Sequence, residues 1–457
     1  MASTRLQRIS SMVAGSTTKA TVSAWVKRSG IGTDGDVYFI RSDNSNYGRI
    51  RIRSDDRIEF IVVLSNSTLI NKRSNKLLRD CSGWYHIVLA IDLTLSTEED
   101  KIKLYINNER ITSWLSNTNT SATSGDWVGG DGNWNPNIGG GYGVGAFFDG
   151  SMSFVSFVDG QALTPSTFGE TDSDTGQWKI KTDIVPGGTG WGTNGYLILK
   201  NGNSLTDEST NTNNFEVVAG GTLTNTLDCP DNVFATINFL DNYYFSGTFS
   251  NGNNTVITNT SLKAWSTSTI GMTSGKYYYE AKNSATGGSA PSDPWNRIGI
   301  TDRSATSNSD IGTTANQYVI TQYDGSKYVN GTNSTYAAAW VTGDIIGCAI
   351  DLDNNKIYWH KNGQWGTGSG AWGSTTFNSS TGAVTLVSSA NTINGFYLVG
   401  VGDAGGSVSK TWQFNFGNGY FGTTAVTSAG TAGSTPGTFE YDVPSGFQPL
   451  STKGLNA

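Results

Sequence analysis

Between Ser124 and Gly143 the chain reads SGDWVGGDGNWNPNIGGGYG, a stretch that gathers several groups suited to a sugar. Trp127, Trp134 and Tyr142 offer aromatic faces for the apolar face of a pyranose, while Asn133, Asn135, Asp126 and Asp131 can hydrogen-bond its hydroxyls. Carboxylate, amide and carbonyl oxygens also suit a hard cation, so Asp126 and Asp131 are the expected ligands if Ca²⁺ is used. The competing use of the tryptophans is to plug the end of a folded layer. A second set of aromatic residues, Trp295, Tyr323, Tyr328, Trp365 and Trp372, falls in or beside loops of the second half and forms a further group of binding candidates.

Catalytic chemistry is harder to assemble. The chain has two histidines, His86 and His360, each inside a strand-like run, with no HExxH, no paired-cysteine spacing and no G-x-S-x-G elbow. A glycosidase needs two carboxylates held across the sugar, which on a strand calls for alternating acids facing one cleft. Glu98-Glu99-Asp100 is consecutive instead, and Glu170, Asp172 and Asp174 lie in a Gly/Ser/Thr-rich stretch. GVGDAG (400–405) matches G-x-G-x-x-G but runs into the strand-like SVSKTWQFNF, where a dinucleotide site requires a helix. DLDNN (351–355) imitates the start of an EF-hand loop, yet Lys356 and Asn362 occupy the glycine and bidentate-acid positions. No enzyme activity and no required cofactor are expected.

The elements that must position these groups are strands. The 457 residues include 58 Gly and 14 Trp, and charged residues make up 15%, a balance of many turns and aromatic packing that argues against disorder. Alternation places Val22, Ala24 and Val26, then Ile87, Leu89 and Ile91, then Ile102, Leu104 and Ile106 on inward faces. In GDIIGCAIDLDNNKIYWHKNGQW (343–365), Ile346, Cys348, Ile350 and Leu352 alternate, Asp353–Asn355 reverse the chain, and Ile357 and Trp359 point opposite to Tyr358 and His360. Asn362-Gly363 marks the next reversal, since both turn positions need φ > 0. No helix of ordinary length is apparent in the first half.

A net charge of −7 without a basic tract excludes nucleic acid and anionic membrane as expected partners. No apolar segment is long enough to insert in a bilayer, and the start, MASTRLQRISSMVAGSTT, lacks the apolar core of a signal peptide. Cys81, Cys229 and Cys348 are too few and too scattered for a disulfide framework.

Two resemblances follow from these runs. SAWVKRSG, WYHIVLAID, KIKLYINNERI and FDGSMSFVSFVDGQAL resemble a laminin-G or concanavalin A-like lectin domain over the first third of the chain. SGKYYYEAKN, RIGITD, the stretch 343–365, GFYLVGVGD and WQFNFGNGYF resemble a SPRY domain. The first resemblance implies a lectin that uses loops with Ca²⁺, the second a binding module that recognises partners through loops. Together with the closing EYDVPSGF, the order resembles structural proteins of tailed bacteriophages of the marine type.

The expected architecture is all-β: two jelly-roll-like antiparallel β-sandwiches joined by a partly ordered bridge. The first covers 1–168, the bridge 169–235, the SPRY-like sandwich 236–425, and a tail, 426–457, packs back through Phe439, Tyr441, Val443 and Phe447. The resemblance implies a virion component, assembled in the host cytoplasm as a homo-oligomer on the particle beside other virion proteins. It would bind host or environmental surface glycans in a tail-fibre or adhesion role. The alternatives are a capsid decoration or tail assembly protein with protein–protein contacts alone and, behind both, a glycan depolymerase.

Overall fold

The computed structural model describes residues 4–118, 121–141, 146–221, 223–241, 244, 247–258, 263, 265–286, 295–403, 408–430 and 437–455. The chain divides into two compact units, Met1–Asn225 and Thr226–Ala457. Both are built from strands; among the described residues the α-helices are two four-residue turns, Glu98–Lys101 and Thr452–Leu455.

In the first unit an eight-stranded sheet runs in the order Trp114–Thr118, Ser67–Leu77, Arg57–Leu64, Tyr47–Ile52, Gly35–Arg41, Asn135–Ile138, Arg5–Arg8, Phe215–Ala219. A six-stranded sheet has the order Tyr196–Ile198, Gly150–Asp159, Lys19–Arg28, Tyr85–Asp92, Ile102–Ile106, Glu109–Arg110. Their apolar sides share one core, in which Val22, Val26, Leu89 and Leu104 from the second sheet cluster with Ile50, Phe60 and Val62 from the first. The period-2 alternation of the sequence produces this: each strand sends every other side chain inward. The Asn107–Asn108 turn takes φ of 49° and 69°, a left-handed conformation that asparagine tolerates.

The stretch expected as a bridge is a correction to the sequence reading. Tyr196–Ile198 pairs with Gly150–Asp159, and Phe215–Ala219 pairs with Arg5–Arg8, so both strands complete the sheets of the first unit. Just ahead of the first of them, buried Asn194 is a polar tie. Its Oδ1 accepts from Arg8 Nη1 (3.2 Å), its Nδ2 donates to the carbonyls of Val13 (2.7 Å) and Gly129 (3.1 Å), and its backbone N–H donates to Asp159 Oδ2 (3.2 Å). These pairings join residues as far apart in sequence as Arg5 and Ala219, and no local period announces them.

The second unit pairs Thr248–Ser250, Thr255–Ile257, Lys410–Asn415, Lys276–Thr286, Ile345–Asp351, Lys356–Lys361 and Gln364–Trp365 in one sheet. Val384–Thr385 joins Lys356–Lys361, and Gln448–Pro449 pairs in parallel with Lys276–Thr286. The other sheet has the order Trp265–Thr267, Leu398–Asp403, Asn296–Thr301, Gln317–Thr321, Lys327–Val329, Thr332–Ser334. Ile346, Cys348, Ile350, Leu352, Ile357 and Trp359 all enter the core, and Asn362 and Gly363 adopt φ of 48° and 82°. The opposite face of this hairpin is also dry: Phe439, Val443 and Phe447 of the tail cluster with Tyr278, Ala349, Tyr358 and Trp365. The tail therefore packs back, and it seals the outer side of the sheet. All three cysteines are free thiols.

Candidate functional site

The loop 122–134 is fixed before any ligand is considered. Gly125 N donates to Thr17 O (2.8 Å), Gly15 N to Gly130 O (3.3 Å), and Asn194 closes on Gly129 O. Asp126–Val128 forms a single 3₁₀ turn, after which Gly129 takes φ 136°, and a side chain there would run into Phe157. Asp131 Oδ1 accepts the backbone N–H of Asn133 (2.7 Å), an Asx turn that aims the Asn133 side chain away from the core.

Facing this loop are two hairpin ends of the eight-stranded sheet. Asn46 ties them together, donating to both Asp43 oxygens (3.0 and 2.9 Å) and accepting Ser65 N (2.9 Å). The side-chain hydrogen bond from Asn46, followed by those from Ser45, holds the exposed Asp43 carboxyl at about 2. The open cleft between them has a volume of about 560 Å³ and is lined by Ser42, Asn46 and Ser65 from the hairpin ends and by Asp126, Asp131, Asn133, Trp127 and Trp134 from the loop.

Five of the seven residues picked from this stretch thus meet in one cleft. Asn135 lies one step further on, in the strand paired with Arg41, and is not among the cleft-lining residues; Tyr142 falls outside the described residues. The tryptophans do not act as open stacking platforms. Trp127 is 3% and Trp134 5% exposed, their rings belong to the core, and Trp127 packs against Phe60 at 6.2 Å. They line the cleft from the core side, as its floor. Sequence reasoning missed Ser42, Asn46 and Ser65, which reach the cleft only because the strands bearing them pair; their one local signal is the turn chemistry of SDNSN and LSNS.

Ca²⁺ takes six to eight oxygen ligands. Among the described residues no three His, Cys, Asp or Glu side chains gather to hold an ion. Asp126 and Asp131 are the two carboxylates of the cleft, and Asp131 Oδ1 and Asn46 Oδ1 already accept N–H groups. This set does not make an ion cage.

In the second unit the five aromatic candidates separate. Trp295 stacks on Tyr323 at 4.5 Å with 19° between the planes, and Tyr323 is 54% exposed. Tyr328 instead carries the Arg297 guanidinium at 3.7 Å. Trp365 is 7% exposed beneath the tail, with Phe377 and His360 against it. Trp372 donates Nε1–H to Ala338 O (2.8 Å) and has Lys361 5.9 Å from its ring.

Both histidines are buried sheet residues held neutral, desolvation pushing each down to about 3. His86 Nδ1 accepts from Trp178 Nε1 (3.0 Å), which leaves Nε2–H for Ser23 Oγ (2.9 Å). His360 Nδ1 accepts Gly363 N (3.1 Å), and its Nε2 meets Tyr278 Oη at 2.6 Å.

With this geometry in hand, residues 5–167 match the family model of the concanavalin A-like lectin/glucanases superfamily, and residues 276–390 match that of the SPRY domain. The chain carries both domains, in that order. No curated protein matches it. Among solved structures it is similar to the SPRY domain of human HERC1 at 17% identity, covering 35% of this chain and 86% of that one with a TM-score of 0.27. A native heptameric SAP-like pentraxin from Limulus polyphemus is also 17% identical, over 36% of this chain and 72% of that one, with a TM-score of 0.27. Domain 4 of AbnA, a GH43 extracellular arabinanase from Geobacillus stearothermophilus solved with arabinotriose, is 18% identical over 35% and 68% respectively, with a TM-score of 0.27.

Proposed function

We propose that this chain is a non-enzymatic carbohydrate-binding protein and that the cleft of its first sandwich holds the glycan. The observation that carries the reading is the cleft itself: hydroxyl, amide and carboxylate groups arranged over an indole floor, on loops already fixed by their own hydrogen bonds. Pre-organised polar groups above an apolar base are what saccharide recognition requires, because little ordering entropy is left to lose on binding. Binding is preferred to hydrolysis because a glycosidase sets two carboxylates on either side of the scissile bond, whereas Asp126 and Asp131 belong to one loop.

The setting proposed is a phage particle, on the strength of the domain order and closing segment, with the protein serving in attachment. Single sites of this size bind weakly; many copies on a particle would raise avidity by about 10²–10⁴. A second reading, virion assembly through protein contacts, is favoured by the Trp295–Tyr323 stack, in which exposed Tyr323 lies on a half-buried indole, a surface suited to a protein neighbour. A glycan array probed with the full chain displayed multivalently tests the main reading. Saturable binding to a defined group of saccharides is expected; a well-folded multimer that binds none would overturn it.

A further inference from the structure

In the second unit, Phe439, Val443 and Phe447 of the tail lie on Tyr278, Ala349, Tyr358 and Trp365 of the sheet beneath, and all seven are buried. Both ends of this segment are tied to the fold. At its start, Thr438 N donates to Gly417 O and Thr438 O accepts from Asn415 Nδ2, both at 2.9 Å. At its end, Gln448 and Pro449 pair with Tyr277 and Tyr278. Between these anchors, the Glu440 and Tyr441 N–H groups both donate to one side chain, the Glu280 carboxyl (2.9 Å each).

Glu280 is 0% exposed, and no cation balances it. Its own strand brings Tyr278 Oη (3.0 Å) and, two residues on, Lys282, which makes no ion pair with it among the described residues. Ile345–Asp351 places Gly347 opposite it, and Lys356–Lys361 brings His360, whose Nε2 meets Tyr278 Oη at 2.6 Å. Lys410–Asn415 supplies Asn415 Nδ2 (3.3 Å). From the tail come Tyr441, Asp442 and Glu440, whose carboxylate accepts from Thr427 N (2.7 Å), while Asp344 adds a negative group beside Tyr441. Desolvation outweighs the four donors to Glu280 and pushes its carboxyl up to about 7. His360 is held at about 3, and Tyr278 and Tyr441 are raised above the ordinary tyrosine range, so none of these three changes charge between pH 5 and pH 8.

A carboxylate without a counter-ion is far better solvated by water than by a buried site, and lifting the segment above it lets water in. We propose that Phe439–Phe447 is a strap that opens as a unit when Glu280 ionises, uncovering the apolar outer face of the second sandwich. The strap is closed in mildly acid solution and loosens towards neutrality. The sign is that of a raised acid: its contribution is complete below pH 4.5 and is lost as pH rises through about 7.

Hydrogen exchange on the full chain, read by mass spectrometry on fragments covering 438–447 and the hairpin 345–361, tests this. Rates are expressed relative to unstructured peptides at the same pH, which removes the intrinsic pH dependence of exchange. Protection of the strap is expected to fall about tenfold or more between pH 5 and pH 8, while that of the hairpin holds. Binding of a dye that fluoresces on apolar surfaces should rise over the same range. Glu280→Gln cannot ionise, so its strap is expected to show lower protection than the parent at pH 5 and no change up to pH 8. Phe447→Ala thins the apolar contact and keeps the carboxyl, so it should lower protection at both pH values and preserve the slope. Strap protection that stays constant with pH in the parent would overturn the proposal. So would a strap and hairpin that lose protection together, a Glu280→Gln variant that keeps the parent's slope, or a Phe447→Ala variant that loses it.

Discussion

Asn133 and His86 show how differently two polar residues can be used. Asn133 has its backbone fixed by Asp131 while its side chain lines the cleft. His86 is fully enclosed, stacked on Trp25 at 4.5 Å and bonded through both ring nitrogens. Replacing His86 by Ala would leave the Trp178 indole N–H and the Ser23 hydroxyl without their partner and open a cavity. We expect a loss of about 3 kcal/mol, measured by urea unfolding of the variant against the parent. The pH dependence has a defined sign. A histidine held at about 3 when folded and at 6.5 when unfolded contributes stability above pH 6.5 that is lost as pH falls towards 3. Residue types alone signalled the candidate sugar-binding loop, since Trp, Asn and Asp are concentrated there. They could not signal that the tryptophans turn their faces inward, because that depends on which side of the loop the core lies.

At the scale of elements, the hairpin 345–361 was fully legible. Alternation gave its inward face and Asn-Gly gave its turn, both local properties of the chain. The two strands at 196–198 and 215–219 were not, since each is short and its partner is distant in sequence. The tail lies between these cases: its aromatics announced packing, and the structure supplies the latch. Glu280 is wholly buried and accepts from Glu440 N and Tyr441 N (both 2.9 Å), Tyr278 Oη (3.0 Å) and Asn415 Nδ2 (3.3 Å). His360 and the Tyr441 ring complete the surroundings through Tyr278 and one another. Desolvation pushes the Glu280 carboxyl up to about 7 despite those four donors. The sign follows: a raised carboxyl contributes stability present below pH 4.5, which is lost as pH rises through about 7. In Glu280→Gln one of the two backbone donors would face an amide NH₂. The variant should therefore be less stable than the parent at pH 5, with the gap closing by pH 8, as read by urea unfolding at the two pH values. A gap that stays constant would show that Glu280 titration does not control the latch.

For the whole molecule, two all-β units share a chain and divide the labour of the proposal. The first contributes the cleft, the second a sheet whose outer side the tail closes and a Trp295–Tyr323 stack with Tyr323 exposed. Composition made the all-β class legible, and the runs of the two domains made their order legible. The boundary at 225 was hidden, because Gly/Asn/Thr-rich sequence looks the same whether it forms a linker or edge strands held by side-chain hydrogen bonds such as those of Asn194. The central claim is that this cleft, and no other surface, binds the saccharide. It is tested most directly by titrating the full chain and its Asn133→Ala variant, side by side in a calorimeter, with the strongest saccharide found on the array. The variant keeps the backbone N–H that Asp131 holds, so its unfolding should match the parent's while its affinity falls by about tenfold or more. Equal affinity in the two proteins would contradict the claim.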